Sequence, residues 1–186
     1  MMLEEIGNHL LKTKYGNFHL FGFNYGENRQ NVIALTSINK HSSKSSDLRI
    51  QYGCLYATAF FSLDCDCGFQ IEYTLKSLKD SDFGIFVYFP EYEGHGIGLD
   101  NKIRKIALDL NKQTTENNSS HLEKFPGYGS DVLWVVPLIL DKLNAPKDIN
   151  LWTNNQQKVI VLTSHGLNIS ETICLPKNVE HNLAIS

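Results

Sequence analysis

Phe61-Ser62-Leu63-Asp64-Cys65-Asp66-Cys67-Gly68-Phe69-Gln70 is the stretch on which the reading of this chain turns. Cys65 and Cys67 are one residue apart, a poor spacing for a disulfide between them, and Gly68 frees the backbone to turn directly afterwards. A strand or loop ending in Cys-x-Cys-Gly can aim two thiolates at one ion, and Cys54 lies a short distance upstream. Zinc takes thiolates readily. Three protein ligands leave its fourth position to water, the pattern of catalytic rather than structural zinc. Such a water ionises near neutral pH and can attack an electrophilic carbon. The competing reading is three cysteines serving as small buried hydrophobes, and spacing alone leaves both open. Cys174, far away on an apolar run, reads as a core thiol.

Outward from the cysteines, the first half of the chain reads mainly as β. Asn17 to Asn24, Asn31 to Thr36 and Leu48 to Thr58 are strand-like, and the Ser- and Lys-rich stretch from Asn39 to Asp47 reads as an exposed loop. The second half alternates. Ile71, Leu75 and Leu78 recur at helical spacing, and Gly84 to Phe89 is a short buried strand. Ile97 to Leu110 predicts an amphipathic helix carrying Ile103, Ile106, Ala107 and Leu110 on one side. Gln113 to Gly129 predicts a long loop. Ser130 can cap a helix over Val132 to Leu143, which Pro137 should kink or divide. Asn150 to Thr153 reads as strand, Gln156 to Ser164 as helix with Gly166 as its stop, and Asn168 to Leu175 as strand. Strands first and alternation later predict an α+β fold with a mixed sheet, one domain over 1–176 and a loose tail over 177–186.

The 186 residues carry 17 basic and 20 acidic side chains, a net charge of −3. That balance argues against a general nucleic-acid-binding surface. No apolar run approaches the ~20 residues of a membrane span. The acidic start Met1-Met2-Leu3-Glu4-Glu5 has no export-signal core, so a cytoplasmic protein is expected.

Two further stretches sit at strand-to-helix junctions. In Glu93-Gly94-His95-Gly96-Ile97-Gly98 backbone amides can approach a phosphate, although the glycine spacing is not the dinucleotide fingerprint and a tight turn explains it equally well. Thr153-Asn154-Asn155 with Lys158 suits anion or base recognition, and an ordinary helix cap explains it about as well.

Together with Phe61 to Gln70, the segments Gly94 to Arg104 and Leu151 to Lys158 resemble the GTP cyclohydrolase II family of the riboflavin pathway, over about Leu11 to Pro176. The resemblance implies zinc at Cys54, Cys65 and Cys67. It also implies a GTP substrate whose imidazole ring is opened with loss of formate and whose pyrophosphate is released. Mg2+ would accompany the triphosphate, and a homodimer is implied. Gln70 matches the residue that helps hold guanine, Thr153 and Lys158 match later ligand contacts, and Thr115 (or Thr114) matches a loop threonine.

Departures from the family pattern are concentrated where a triphosphate would sit. Arg-Val-His-Ser-Glu-Cys-Leu-Thr-Gly-Asp becomes Arg49-Ile50-Gln51-Tyr52-Gly53-Cys54-Leu55-Tyr56-Ala57-Thr58, and Arg-Gln-Glu-Gly-Arg becomes Glu91-Tyr92-Glu93-Gly94-His95. The assisting helix tyrosine falls at Ile106, which cannot transfer a proton, and the late Asp-x-Arg pair falls at Gly129 and Asp131. The metal half is retained while at least three positive side chains are lost, and unpaired burial of phosphate charge is costly. The expectation is therefore a diverged zinc hydrolase that opens a purine-like nitrogen heterocycle with fewer phosphates than GTP. It would work in specialised biosynthesis. Arg49 and Lys158 would supply positive charge, Gln70, Glu93 and Gly94 would meet the substrate, and Glu93, His95 or Tyr92 would handle protons. The alternatives are an orthodox GTP cyclohydrolase II and a catalytically silent, zinc-containing nucleotide-binding protein.

Overall fold

Leu48, Ile50 and Tyr52 alternate with Arg49 and Gln51 along strand β4 (Ser45–Tyr52), and all five are buried. A strand buried on both faces belongs in the middle of a covered sheet. The computed structural model describes residues 2–38, 43–112 and 132–176, and β4 indeed lies inside a mixed seven-stranded sheet in those residues. The other strands are β1 (Leu3–Thr13), β2 (Gly16–Tyr25), β3 (Gln30–Ser37), β5 (Gly84–Phe89), β6 (Asp148–Trp152) and β7 (Asn168–Ile173), in the order β1-β2-β3-β5-β4-β6-β7. β1, β2, β3 and β5 pair antiparallel, whereas β5, β4, β6 and β7 run parallel. The fold is α+β, as the run of strands followed by alternation implied.

The helices are α1 (Leu55–Ala59), α2 (Cys67–Leu78), α3 (Gly98–Lys112), α4 (Val135–Lys142) and α5 (Gln156–Ser164). Leu75 and Leu78 of α2 pack with Phe18, Leu35 and Phe86 in one apolar cluster. A larger cluster joins Leu48, Ile50 and Val87 to Val136, Ile139 and Leu140 of α4 and Leu162 of α5. These two clusters explain why most residues of β4 and β5 are buried.

The strand ends position the site. Parallel strands bring their carboxyl ends to one edge, where ligands of open α/β sheets bind. Cys54 follows β4, Glu93 follows β5 and Thr153 follows β6, so three distant motifs meet along that edge.

Several expectations are corrected. The strand proposed for Leu48 to Thr58 ends at Tyr52, and Leu55–Ala59 is helical. The chain passes so close to Pro90 that a Cβ on Gly53 would meet the Pro90 carbonyl oxygen at 2.3 Å. Gly53→Ala is therefore expected to lower stability by about 1–3 kcal/mol, the usual cost of overpacking, measured as a shift of the denaturant midpoint. Ser45 to Asp47 belong to β4 rather than to an exposed loop, with Ser46 fully buried and bonded to the Pro146 carbonyl. Pro137 does not kink a long helix. α4 is short and Pro137 falls in its first turn, where a missing N–H breaks no helical bond. Cys174 is exposed, just beyond the end of β7, while Leu175 beside it is buried. On α3, Ile103 is 45% exposed, so the apolar stripe is not simply core. The loop over 113–129, Ser130 and the tail over 177–186 lie outside the described residues.

Candidate active site

The three cysteines converge from two sequence neighbourhoods. Cys54 sits between β4 and α1, Cys65 in the turn before α2, and Cys67 on the first residue of α2. Their sulfurs all lie within 4.8 Å of one another, and Cys54 Sγ is 3.6 Å from Cys65 Sγ. A tetrahedral zinc with Zn–S near 2.3 Å needs sulfurs about 3.8 Å apart. Donor type and spacing thus fit zinc, with Cys54, Cys65 and Cys67 as the residues that would hold it. Hydrogen bonds with Cys65 and then Cys67 hold the Cys54 thiol far below the ordinary thiol range, with Lys102 adding to the effect. The same contacts push Cys67 up, because a second and third negative sulfur would face the first.

Beside the cysteines lies a cleft of about 400 Å³. Its floor is cationic. Arg49 and Lys158 are 5% and 7% exposed. The Arg49 guanidinium donates to Gln51 Oε1 at 2.7 Å, to Gln70 Oε1 at 2.8 Å and to the Trp152 carbonyl at 3.1 Å, and its Nε is buried without a partner. Desolvation lowers Arg49 to about 10, so it stays charged at neutral pH. Lys158 Nζ donates to the Ile50 carbonyl at 3.1 Å and lies 4.3 Å from the centre of the Tyr52 ring. Burial, and then repulsion from Arg49, pulls Lys158 down to about 7.

One wall is aromatic. Tyr52 packs against Tyr92 at 5.1 Å and edge-on against His95 at 5.4 Å between ring centres. Gly94 and His95 both take left-handed backbone with φ near +60°, a conformation that costs a histidine roughly 1–2 kcal/mol and turns its ring into the cleft lining. His95 is exposed as a residue, yet desolvation is the main influence on its ring and, with Lys158 and Lys102 nearby, pushes the imidazole below its usual pKa. Its neutral form can accept a proton.

The junction after β6 both caps and lines. Asn155 Oδ1 accepts from Gln157 N at the start of α5, the Asn154 amide clamps the Leu175 backbone, and Thr153 Oγ1 accepts from Asn155 N. All three residues also border the cleft.

Expected site residues divide accordingly. Arg49, Gln70, Gly94, His95, Thr153 and Lys158 border the cleft with the cysteines. Tyr92 is buried behind Tyr52. Glu93 has both carboxylate oxygens engaged, one accepting from Leu55 N at 2.8 Å and the other facing Lys102 Nζ at 2.6 Å. Glu91, at the place of an arginine in the family pattern, accepts from the backbone and side chain of Asn31. Ile106 is half-buried on α3, and Thr115, Gly129 and Asp131 lie outside the described residues. Lys102, within the Gly94 to Arg104 segment, carries no sequence signal that marks it as a site residue. Only the fold brings its ammonium 3.1 Å from Cys54 Sγ.

The sequence pattern of GTP cyclohydrolase II matches residues 4–174. The chain belongs to the GTP cyclohydrolase II family. GTP cyclohydrolase-2 of Yersinia pseudotuberculosis serotype I (strain IP32953) is 37% identical over 190 residues, covering 99% of this chain and 94% of the relative. GTP cyclohydrolase-2 of Buchnera aphidicola subsp. Baizongia pistaciae (strain Bp) is 38% identical over 179 residues, covering 94% and 86%. Among solved structures, RibBX from A. baumannii, a two-domain 3,4-dihydroxy-2-butanone 4-phosphate synthase, superposes with a TM-score of 0.51 at 15% identity. The match covers 95% of this chain and 41% of that one, a likeness of fold alone. As a family hydrolase related to enzymes named for a purine nucleotide, this GTP cyclohydrolase II-type chain has its cysteine cluster and cationic cleft on the same sheet edge. No helix among its described residues is long and apolar enough to cross a membrane.

Proposed function

We propose that this protein is a zinc-dependent cyclohydrolase that opens a purine-like ring in a nucleotide or nucleoside bearing fewer phosphates than GTP. The observation that carries the reading is how the cleft's cations are committed. Lys102 pairs with Glu93 and Cys54, and Arg49 holds Gln51, Gln70 and a carbonyl, whereas Lys158 meets a single backbone carbonyl. Among the described residues, one lysine and one partly satisfied arginine suit a single phosphate better than a triphosphate with several negative charges. Zinc held by Cys54, Cys65 and Cys67 would supply a water that ionises near neutral pH.

The surrounding side chains take the other roles. Arg49 fixes the Gln70 side-chain oxygen, leaving the amide N–H groups to donate to acceptors on a purine edge. Tyr52 and His95 give a planar ring an apolar wall, and neutral His95 takes up a proton. Glu93 holds Lys102 and the start of α1, and Gly94 permits the turn that places His95. Mg2+ would accompany bound phosphate, Thr115 would contact the ligand, and the active species would be a homodimer in the cytoplasm. Residues 1–176 would form the working domain, in a specialised biosynthetic pathway.

The 37% identity to proteins named GTP cyclohydrolase-2 favours a second reading, turnover of GTP itself with release of formate and pyrophosphate. Incubating zinc-loaded protein with GTP, GMP and guanosine, with mass spectrometry of the products, separates the readings. A ring-opened, deformylated product from GMP or guanosine is expected. Conversion of GTP alone supports the second reading, and no conversion of any purine favours a silent binding protein.

A further inference from the structure

Lys102 and Glu93 form a closed circuit with the first cysteine. Lys102 Nζ lies 3.1 Å from Cys54 Sγ and 2.6 Å from Glu93 Oε1, and Glu93 Oε2 accepts the backbone N–H of Leu55, the residue after Cys54. One carboxylate therefore grips both the backbone beside the sulfur and the ammonium that touches the sulfur. The two side chains are 15% and 13% exposed, and the lysine is further confined 4.9 Å from the centre of the Tyr56 ring. An ammonium cannot ligate a metal, so the contact to Cys54 has another use.

Resting on the reading of the three cysteines as a metal centre, we infer that Lys102 is a positioning residue for that centre: its hydrogen bond to Cys54 Sγ fixes the sulfur and moderates its electron donation to the metal, while Glu93 holds Lys102 in place. Three thiolates and one divalent cation carry a net charge of −1, and each thiolate donates strongly. A full positive charge hydrogen-bonded to one sulfur offsets that excess and leaves the metal a better acceptor for the lone pair of a water. Partners one step beyond the ligands orient and tune metal sites in this way. A plain ion pair tying the Glu93–Gly96 turn to α3 would need no contact with sulfur.

The test uses full-length protein loaded with cobalt(II), whose sulfur-to-metal charge-transfer band reports thiolate donation, together with the rate at which iodoacetamide alkylates Cys54 in the zinc form, mapped by mass spectrometry. Lys102→Met should move the band to longer wavelength and speed Cys54 alkylation about tenfold, and Lys102→Arg should restore both toward wild type. Glu93→Gln, which loosens the lysine without deleting it, should shift both readouts the same way by less, and stands in if Lys102→Met does not fold. An unchanged band and unchanged Cys54 alkylation in folded, metal-loaded variants would overturn the inference and leave the metal centre intact. Failure of the wild type to take up cobalt or zinc would overturn the metal centre itself, and the inference with it.

Discussion

Cys65→Ser is expected to leave the protein folded but without stoichiometric zinc, and to abolish turnover of any purine. The cluster has no fourth protein donor among the described residues, since three sulfurs are the metal-competent group found there. Removing one therefore leaves two thiolates, whereas changes one step beyond the ligands already cost about 10–100-fold in metal affinity or activity. A loss in zinc affinity beyond about a hundredfold is expected. Cys65 is half-buried in a turn, outside both apolar clusters, so the substitution creates no core cavity. Metal analysis of the purified variant checks it: unchanged stoichiometric zinc removes Cys65 as a ligand.

Lys158→Gln should weaken binding of a phosphorylated ligand about 10–100-fold, the worth of a hydrogen bond to a charged group. It should also remove a pH dependence. Lys158 sits near 7, because burial disfavours its charge and Arg49 repels it. Below pH 7 the ammonium is in place for an anion. Above pH 7 the free protein must take up a proton to bind, so affinity for GMP should fall by up to about tenfold per pH unit. The stability linkage has the opposite sense. An unfolded lysine titrates near about 10.4, so between about pH 7 and 10.4 the unfolded chain binds more protons than the folded one, and the lysine's contribution to stability rises with pH across that window. In Lys158→Gln both trends should vanish. Calorimetric titration of GMP across pH 6 to 9 measures the first, and an affinity slope identical in wild type and variant would show that Lys158 does not face the phosphate.

Much of the architecture was legible before any coordinates because burial writes itself into spacing. The buried strand at Gly84–Phe89 and the helix Gln156–Ser164 fall where the sequence places them. β1 was not, for a physical reason. Most of Leu3–Thr13 is exposed on both sides of an edge strand, so no period-two apolar pattern marks it. The strand over Leu48 to Thr58 reads longer in sequence than it is, because its residues remain mostly apolar past Tyr52. Beyond it Gly53 lies tight against Pro90, a contact between residues distant in sequence, and Leu55–Ala59 turns helical. Cys174 was assigned to the core from its apolar neighbours, but those alternate, and it is Leu175 that turns inward.

The cysteine cluster was legible because its spacing is local. The roles around it were not, because they depend on which polar groups the fold pairs. Glu91 takes the place of an arginine in the family pattern, and the structure pairs it with Asn31. Glu93 looked available for chemistry, yet both of its oxygens are engaged. Lys102 reads in sequence as one charged residue on an amphipathic helix, and its contact with Cys54 spans 48 positions. The aromatic wall likewise follows from Tyr52 at the end of β4 meeting His95 in a left-handed turn after β5.

The most direct measurement is kcat/KM for formate release from GMP and from GTP by the same zinc-loaded protein at pH 7. A cleft whose described cations are Arg49, Lys158, the committed Lys102 and a largely neutral His95 predicts a value at least about tenfold higher for GMP, the worth of one uncompensated charge interaction. A higher value for GTP, with pyrophosphate released alongside formate, would contradict the proposal of a less phosphorylated substrate.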